Sequence, residues 1–407
     1  MRTSSNLSVR FILANNLPTS VTRLTAEMAS ALVRIGIPVS VSYPAVDWLD
    51  FKLFGMRRVG LNLKWRWAFW LAVEVLRNQL FPKGWCGFSH YAADPSVRAE
   101  RFFADPPLRE DRNDEVLVVQ HPYLIPRLLR GKPGSRKKIA AVIHNNYELE
   151  MRSPWSEAAE WKKHCVRLEI SIAAVRVATS EEAREAAQRL GIPVRKVIPG
   201  GVDLSVFKPA QRNPEGSGPL TVTLYCVANP QKGQASGVEA FRGLKKSRPG
   251  DRLCSLGEVL PEAKGLFDHH YGFLHGEDYV RAIQESDIFV YPSLYDGFPA
   301  PPLQAMACGS ALVTTAVEGV TGYAVDGENC LLVRPGDSQG MEAQIRRLIE
   351  DPGLRERIRA NGLRTVQAFS VEETARRWLE FLEELKNQTG SDPKGSDPRK
   401  LCHAEAT

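Results

Sequence analysis

Short apolar runs alternate along the chain with stretches in which apolar residues return every three or four positions, and the alternation is gone through twice. Val9-Arg-Phe-Ile-Leu-Ala14 reads as a buried strand, Asn15-Asn-Leu-Pro-Thr19 as a loop, and Ser20 as the N-cap of a helix. Leu24, Met28, Ala31, Leu32 and Ile35 recur at helical spacing until Gly36 stops them, and Pro38-Val-Ser-Val-Ser-Tyr43 resumes an extended run, which completes a βαβ unit. Val116-Leu-Val-Val119 and Ile139-Ala-Ala-Val-Ile143 are of the kind that a parallel sheet buries on both faces. Each leads into a histidine-bearing loop, Gln120-His121 and His144-Asn145-Asn146, and ligands of such sheets bind at strand carboxyl ends. A long helix is expected around 157–174. Arg176-Val-Ala-Thr then reads as a strand, with Ser180 capping a helix that runs from Ala183.

The pattern restarts after Ala210 to Pro219, whose Gly, Pro and polar residues mark a linker. A strand is expected over Leu220–Val227, a loop over Ala228–Gly233, a helix from Ser236, strands near Leu253 and over His269–Phe273, a helix over Glu277–Gln284 and a strand over Asp287–Tyr291. Amphipathic helices near 338–350, 352–368 and 371–385 finish the fold. The remaining tail repeats Gly-Ser-Asp-Pro, and its polar, apolar-poor composition reads as disordered. The expected class is α/β, with two doubly wound Rossmann-like domains, 1–209 and 210–386, and a tail over 387–407.

A length of 407 residues exceeds what one core usually holds, in agreement with two domains. Hydrophobic residues at 43% and charged residues at 25% set aside disordered and fibrous classes. Seven cysteines, odd in number and without a Cys-x-x-Cys pair, point to reduced thiols and a cytoplasmic location. Met1 to Ser8 lack the apolar core of a signal peptide, and no apolar run reaches membrane-spanning length. Within residues 51–73 there is no acid, while Lys52, Arg57, Arg58, Lys64 and Arg66 are interleaved with Trp65, Trp67, Phe69 and Trp70. That composition suits the headgroup layer of an anionic membrane and would make the protein peripheral on its inner face; a core helix whose cations reach out to water has the same composition. Basic residues also gather between Val116 and Tyr147, but no nucleic-acid-binding motif accompanies them, and no nucleic-acid partner is expected.

The chemistry concentrates in Tyr291-Pro-Ser-Leu-Tyr-Asp-Gly-Phe-Pro-Ala-Pro-Pro-Leu-Gln-Ala-Met-Ala-Cys-Gly309. Its residue types give a strand, a loop and a helix N-terminus with Pro301 and Pro302 in the first turn, and free N–H groups there would attract a phosphate or sugar hydroxyls. An ordinary βα turn with a proline-rich start accounts for the same order of residues. The stretch resembles the signature of the retaining family 4 glycosyltransferases of GT-B fold, Glu-Gly-Phe-Gly-Leu-Pro-Pro-Leu-Glu-Ala-Met-Ala-Cys-Gly. The two glutamates of that signature stand where this chain has Asp296 and Gln304, and Pro299 stands where the family has glycine.

The resemblance implies two domains facing a cleft. It implies that Asp296 and the loop residues Gly297, Phe298, Pro299 and Ala300 meet the donor sugar, and that Gln304 meets the ribose. Lys232-Gly233 matches the family's Lys-Gly that holds the diphosphate, although the family arginine five positions earlier is Val227 here. Phe273 and Leu274 sit where the base is read. His144 matches a histidine that faces the donor sugar from the other domain and joins Asp296 as a catalytic candidate. Asn15 and Asn16 replace a glycine pair of the acceptor-side loop. Val197 to Pro209, with Gly200 at an asparagine position, and Gly319 to Gly336 resemble two further family blocks. The likeness covers most of the chain, is strongest over 232–336, and is weak over 51–114.

The implied activity is transfer of a sugar, with retention of configuration, from a nucleotide diphosphate sugar to a saccharide or lipid-linked acceptor in cell-surface glycan synthesis. No cofactor is expected. No metal is expected either, since Asp-x-Asp, His-Glu-x-x-His and clustered cysteines are lacking. The replacements at Asp296, Gln304, Val227 and Pro299 keep open a nucleotide-sugar binding or scaffold protein with impaired turnover.

Overall fold

A computed structural model of the chain describes residues 7–12, 20–44, 96–102, 115–120, 139–144, 175–210 and 219–387. Two wholly parallel sheets organise them. The first contains β1 (Ser8–Ile12), β2 (Val39–Pro44), β3 (Arg98–Phe102), β4 (Glu115–Val119), β5 (Ile139–Ile143), β6 (Val175–Ala178) and β7 (Lys196–Val197), in the order β3-β2-β1-β4-β5-β6-β7. The second contains β8 (Thr221–Cys226), β9 (Arg252–Gly257), β10 (His269–Gly272), β11 (Ile288–Tyr291), β12 (Ala311–Thr315) and β13 (Leu331–Val333), in the order β10-β9-β8-β11-β12-β13. The second sheet therefore repeats the order of the first six strands of the first. In each, the initial strand has neighbours on both sides, so that chain order reverses between β1 and β4 and again between β8 and β11. Such reversals open a crevice at the carboxyl edge. β5 and β11 are without charged residues and fully buried, as strands covered on both faces should be.

The helices are α1 (Ser20–Arg34), α2 (Glu181–Arg189), α3 (Gln234–Ser247), α4 (Gly276–Gln284), α5 (Ala300–Ala307), the single turn α6 (Glu318–Thr321), α7 (Ser338–Glu350), α8 (Pro352–Thr365) and α9 (Val371–Asn387). The last of these returns to the first sheet. Trp378, Phe381, Leu382 and Leu385 of α9 share one buried core with Val9, Phe11, Leu32, Val39 and Val116. Two crossings of the chain lie side by side here: Val202 donates its N–H to Phe369 O at 2.8 Å and accepts from Val371 N at 3.0 Å. Arg34 of α1 fastens both, pairing with Asp203 at 3.4 Å and Glu372 at 3.1 Å.

Several elements depart from the expectations. β3 was not anticipated because Arg-Ala-Glu-Arg-Phe has no apolar run, as befits an edge strand. β12 was hidden behind α5, from which only Cys308, Gly309, at φ +75°, and Ser310 separate it. The loop after β8 contains a 3₁₀ turn, Pro230–Lys232, capped by the Asn229 side chain, and α3 starts at Gln234 rather than Ser236. α8 ends at Thr365 and tightens into a 3₁₀ turn over Val366–Phe369. α1 is described from Ser20 onward. Ser180 does cap α2, accepting from Ala183 N at 3.1 Å, with the helix beginning at Glu181. The stretches 51–73 and 157–174, Asn15, Asn16, His121, most of the linker and residues 388–407 lie outside the described residues.

Candidate active site

The loops that follow β8 and β11 meet above the crevice between those strands. Gln231 O accepts from Leu294 N at 2.8 Å and Tyr295 N at 3.2 Å, so the second loop is hung on the first by its backbone. Gly233 at the end of the first loop has φ +65°, and a Cβ there would lie 1.9 Å from Pro292 O. Only glycine allows this approach. The second loop is gripped from the other side by α6: Gly319 N donates to Asp296 O at 3.1 Å, and a Cβ on Gly319 would lie 2.4 Å from the Gly297 carbonyl.

This clamp brings Lys232 to Asp296. The Lys232 ammonium donates to Asp296 Oδ2, and the Tyr291 hydroxyl donates to the same oxygen at 2.5 Å. The pair is neither sealed nor open, with side-chain exposures of 26% for Lys232 and 15% for Asp296. Tyr291 closes strand β11 with its ring buried, 5.5 Å from that of Tyr225. Burial, and then the Asp296 carboxylate, hold its phenol well above the ordinary tyrosine range, so it remains a donor. Tyr323 is raised in the same way and donates to Pro299 O at 3.3 Å, while Phe298 packs against its ring at 5.8 Å.

One expectation is corrected in α5. Its N-cap is Pro299 and its first residue is Ala300, so three of the four positions whose N–H would face a ligand, Pro299, Pro301 and Pro302, have none to give. Anion-binding donors at this loop must come from Gly297, Phe298 and Ala300, not from the helix start at Pro302. Gln304, expected at the ribose, is buried, and its Oε1 accepts from the Tyr279 hydroxyl at 2.9 Å, tying α5 to α4. Phe273, at the carboxyl end of β10, is 68% exposed, while Leu274 packs partly against the core beneath.

Among the described residues, the carboxyl edge of the first sheet presents the neutral groups of Gln120, His144 and Thr179. His144 follows β5, and its Nε2 lies 2.8 Å from Gln120 Oε1, with Nε2 as donor since an amide oxygen only accepts. The Thr179 hydroxyl donates to the His144 carbonyl at 3.1 Å. Burial pushes the imidazole down to about 4, a hydrogen bond to the Gln120 backbone opposing it in part, so His144 is uncharged at neutral pH. The two edges are joined where the Thr321 hydroxyl of α6 donates to Glu182 Oε1 of α2 at 3.0 Å. Of the expected site residues the structure thus gathers Lys232, Gly233, Asp296, Gly297, Phe298, Pro299 and Ala300, sets His144 on the other sheet, and turns Gln304 inward. The residue that sequence reasoning missed is Tyr291; its signal was a phenol at the end of an otherwise aliphatic and aromatic strand, five positions before Asp296. Among the described residues no cluster of three metal-ligating side chains occurs, and no helix is long and apolar enough to cross a membrane.

Residues 208–365 match the family model of the glycosyl transferases group 1. Glycogen synthase of Mycobacterium tuberculosis is 26% identical over 177 residues, which are 41% of this chain and 42% of that protein. MMP alpha-(1->4)-mannosyltransferase of Mycolicibacterium hassiacum is 28% identical over 197 residues, 44% and 46% of the two chains. The chain spans less than half the length of these relatives. Among solved structures, sucrose-phosphate synthase from Thermosynechococcus elongatus superposes with a TM-score of 0.68 at 17% identity, over 93% of this chain and 99% of that one. HepE of Anabaena, in complex with UDP and glucose, gives 0.66 at 17% identity, over 93% and 100%. At such identities the likeness is one of fold, and the fold is the two-domain GT-B arrangement.

Proposed function

We propose, from the match of residues 208–365 to the glycosyl transferases group 1, that the chain moves a sugar, with retention of configuration, from a nucleotide diphosphate sugar to a saccharide or lipid-linked acceptor. The observation that carries this reading is the meeting of Lys232 and Asp296 at the crevice between β8 and β11, inside the matched segment. A diphosphate leaving group gathers charge as the glycosidic bond lengthens, and an ammonium beside a glycine loop stabilises it. In the ligand-free chain Asp296 neutralises Lys232; a diphosphate would take over as the partner of the ammonium. The carboxylate is then available to accept hydrogen bonds from sugar hydroxyls, and the loop N–H groups of Gly297, Phe298 and Ala300 supplement Lys232.

His144, facing from the other domain without charge, suits a sugar hydroxyl rather than a phosphate. Phe273 offers an exposed ring where a base would lie. We read the reaction as metal-independent because Lys232 supplies the charge that a metal would bring. Attack by the acceptor on the leaving-group face would account for retention. A role in surface glycan synthesis is supported by the names of two relatives, the O-antigen chain mannosyltransferase B of Escherichia coli and a capsular polysaccharide biosynthesis glycosyltransferase of Staphylococcus aureus.

Thermal unfolding with UDP, GDP, ADP and CDP, followed by transfer and donor hydrolysis assays with UDP-glucose, UDP-N-acetylgalactosamine and GDP-mannose in excess EDTA, tests the reading. Stabilisation by one nucleotide and turnover of its sugar are expected. If no nucleotide stabilises the chain and no sugar is turned over, the proposal falls. Binding without turnover across a broad acceptor panel would identify a nucleotide-sugar binding scaffold, and activity lost to EDTA and restored by a divalent cation would sink the metal-free mechanism.

A further inference from the structure

Asp296 Oδ2 serves two donors of different standing. Lys232 sits on a loop and, in the function proposed above, is the group that a diphosphate recruits. Tyr291 cannot be recruited: its ring is buried, its strand is paired with β12 through Tyr291↔Thr314, and its carbonyl accepts from the Thr314 hydroxyl at 3.1 Å. An aspartate that lost its ammonium partner and had no second anchor would be free to change rotamer at the moment when the sugar has to be held. Neither of these two bonds falls on Oδ1.

We propose that Tyr291 is the positioning residue of this site: its phenol holds Asp296 in place while Lys232 passes from the carboxylate to the diphosphate, leaving Oδ1 to accept from the donor sugar. The inference rests on the proposed function for the identity of the ligand, but the contact it depends on exists without ligand. The elevated phenol supports it, because a tyrosine that stays protonated donates across the whole working pH range. It also gives the short aspartate a support of its own: the side chain has one torsion fewer than a glutamate, and an anchor at the strand end fixes what remains.

Tyr291→Phe keeps the ring and deletes the donor, and Asp296→Ala deletes the acceptor, so a double-mutant cycle isolates the contact. In urea unfolding of the ligand-free protein the two single changes should be coupled, the second costing less once the first is made. In turnover of whichever of UDP-glucose, UDP-N-acetylgalactosamine or GDP-mannose the wild type uses, Tyr291→Phe should lower kcat by about tenfold or more, the worth of a hydrogen bond to a charged group. Affinity for UDP or GDP should stay unchanged, and adding Tyr291→Phe to Asp296→Ala should leave the residual rate where it was. A side chain that only fills the core would show no such split between turnover and nucleotide affinity. Additive effects on stability, or an unchanged kcat in Tyr291→Phe, overturn the proposal. If the wild type uses no donor, the proposed function falls by itself, and the ligand-free cycle still decides whether Tyr291 holds Asp296.

Discussion

The two sheets share the order of six strands and offer the same crevice, yet the described residues at their carboxyl edges differ in chemistry. Above the second sheet stand an ammonium and a carboxylate, partly open to water and paired with each other. Above the first stand Gln120, His144 and Thr179, an amide, a neutral imidazole and a hydroxyl, with Gln120 and Thr179 buried. Burial is the reason for the difference, because an isolated charge at the first edge would lose its hydration without a partner, and His144 gives up its proton instead. Topology makes two equivalent places, and among the described residues desolvation leaves one of them charged and the other neutral.

The sharpest way to break this contrast is Asp296→Asn, which removes one charge from the charged edge. Turnover should fall by about a hundredfold, as when a group aimed at the reacting centre is lost. Affinity for UDP or GDP should hold or rise, because Lys232 no longer has a competing partner. Equal turnover in a steady-state assay would take Asp296 out of the mechanism. Lys232→Ala should weaken nucleoside diphosphate binding in calorimetry by about tenfold or more, the value of a charge-assisted hydrogen bond. Unchanged affinity would mean that the diphosphate is held elsewhere.

His144→Gln probes the neutral edge. The folded imidazole titrates near 4 and the unfolded one near 6.5, so the unfolded chain takes up the proton first. Stability from this group is complete above the unfolded value and is lost as pH falls through that window, with a slope of at most about 1.4 kcal/mol per pH unit. Urea midpoints between pH 4.5 and 7.5 should therefore fall less steeply toward acid in His144→Gln than in the wild type, and parallel curves would contradict a buried neutral histidine. The smallest effect is expected from Phe273→Ala. An exposed ring contributes little to stability, within about 0.5 kcal/mol, so the melting temperature should barely move while nucleotide affinity declines if a base stacks there. No change in affinity would place the base away from β10.

Much of the fold was legible because parallel strands buried on both faces write themselves as short apolar runs, as at Val116–Val119 and Ile139–Ile143. β3 escaped for the complementary reason: an edge strand can be polar. In the site, Lys232-Gly233 and Asp296 could be picked out by spacing and resemblance, but not their pairing, which joins residues 64 positions apart through a crevice that exists only once β8 and β11 are neighbours. The residue type of Gln304 likewise does not reveal that Tyr279, one helix away, bonds its oxygen. The prolines of α5 were in plain view. They were read as helix starters, which they are, without subtracting the N–H groups they lack.

The return of α9 to the first sheet sets an order in time. On the ribosome, the residues of the first domain emerge long before Trp378, Phe381 and Leu382, which complete their core. At ~5–20 residues per second that helix arrives several seconds or more after Pro209, and until then α1 and the β1 face beside it are without their cover. The second domain, whose two cores draw on residues up to Val366, is complete earlier although it is encoded later. The half of the protein that is made first is therefore finished last, and a nascent chain cut short before α9 would carry an intact second domain and an exposed apolar face on the first.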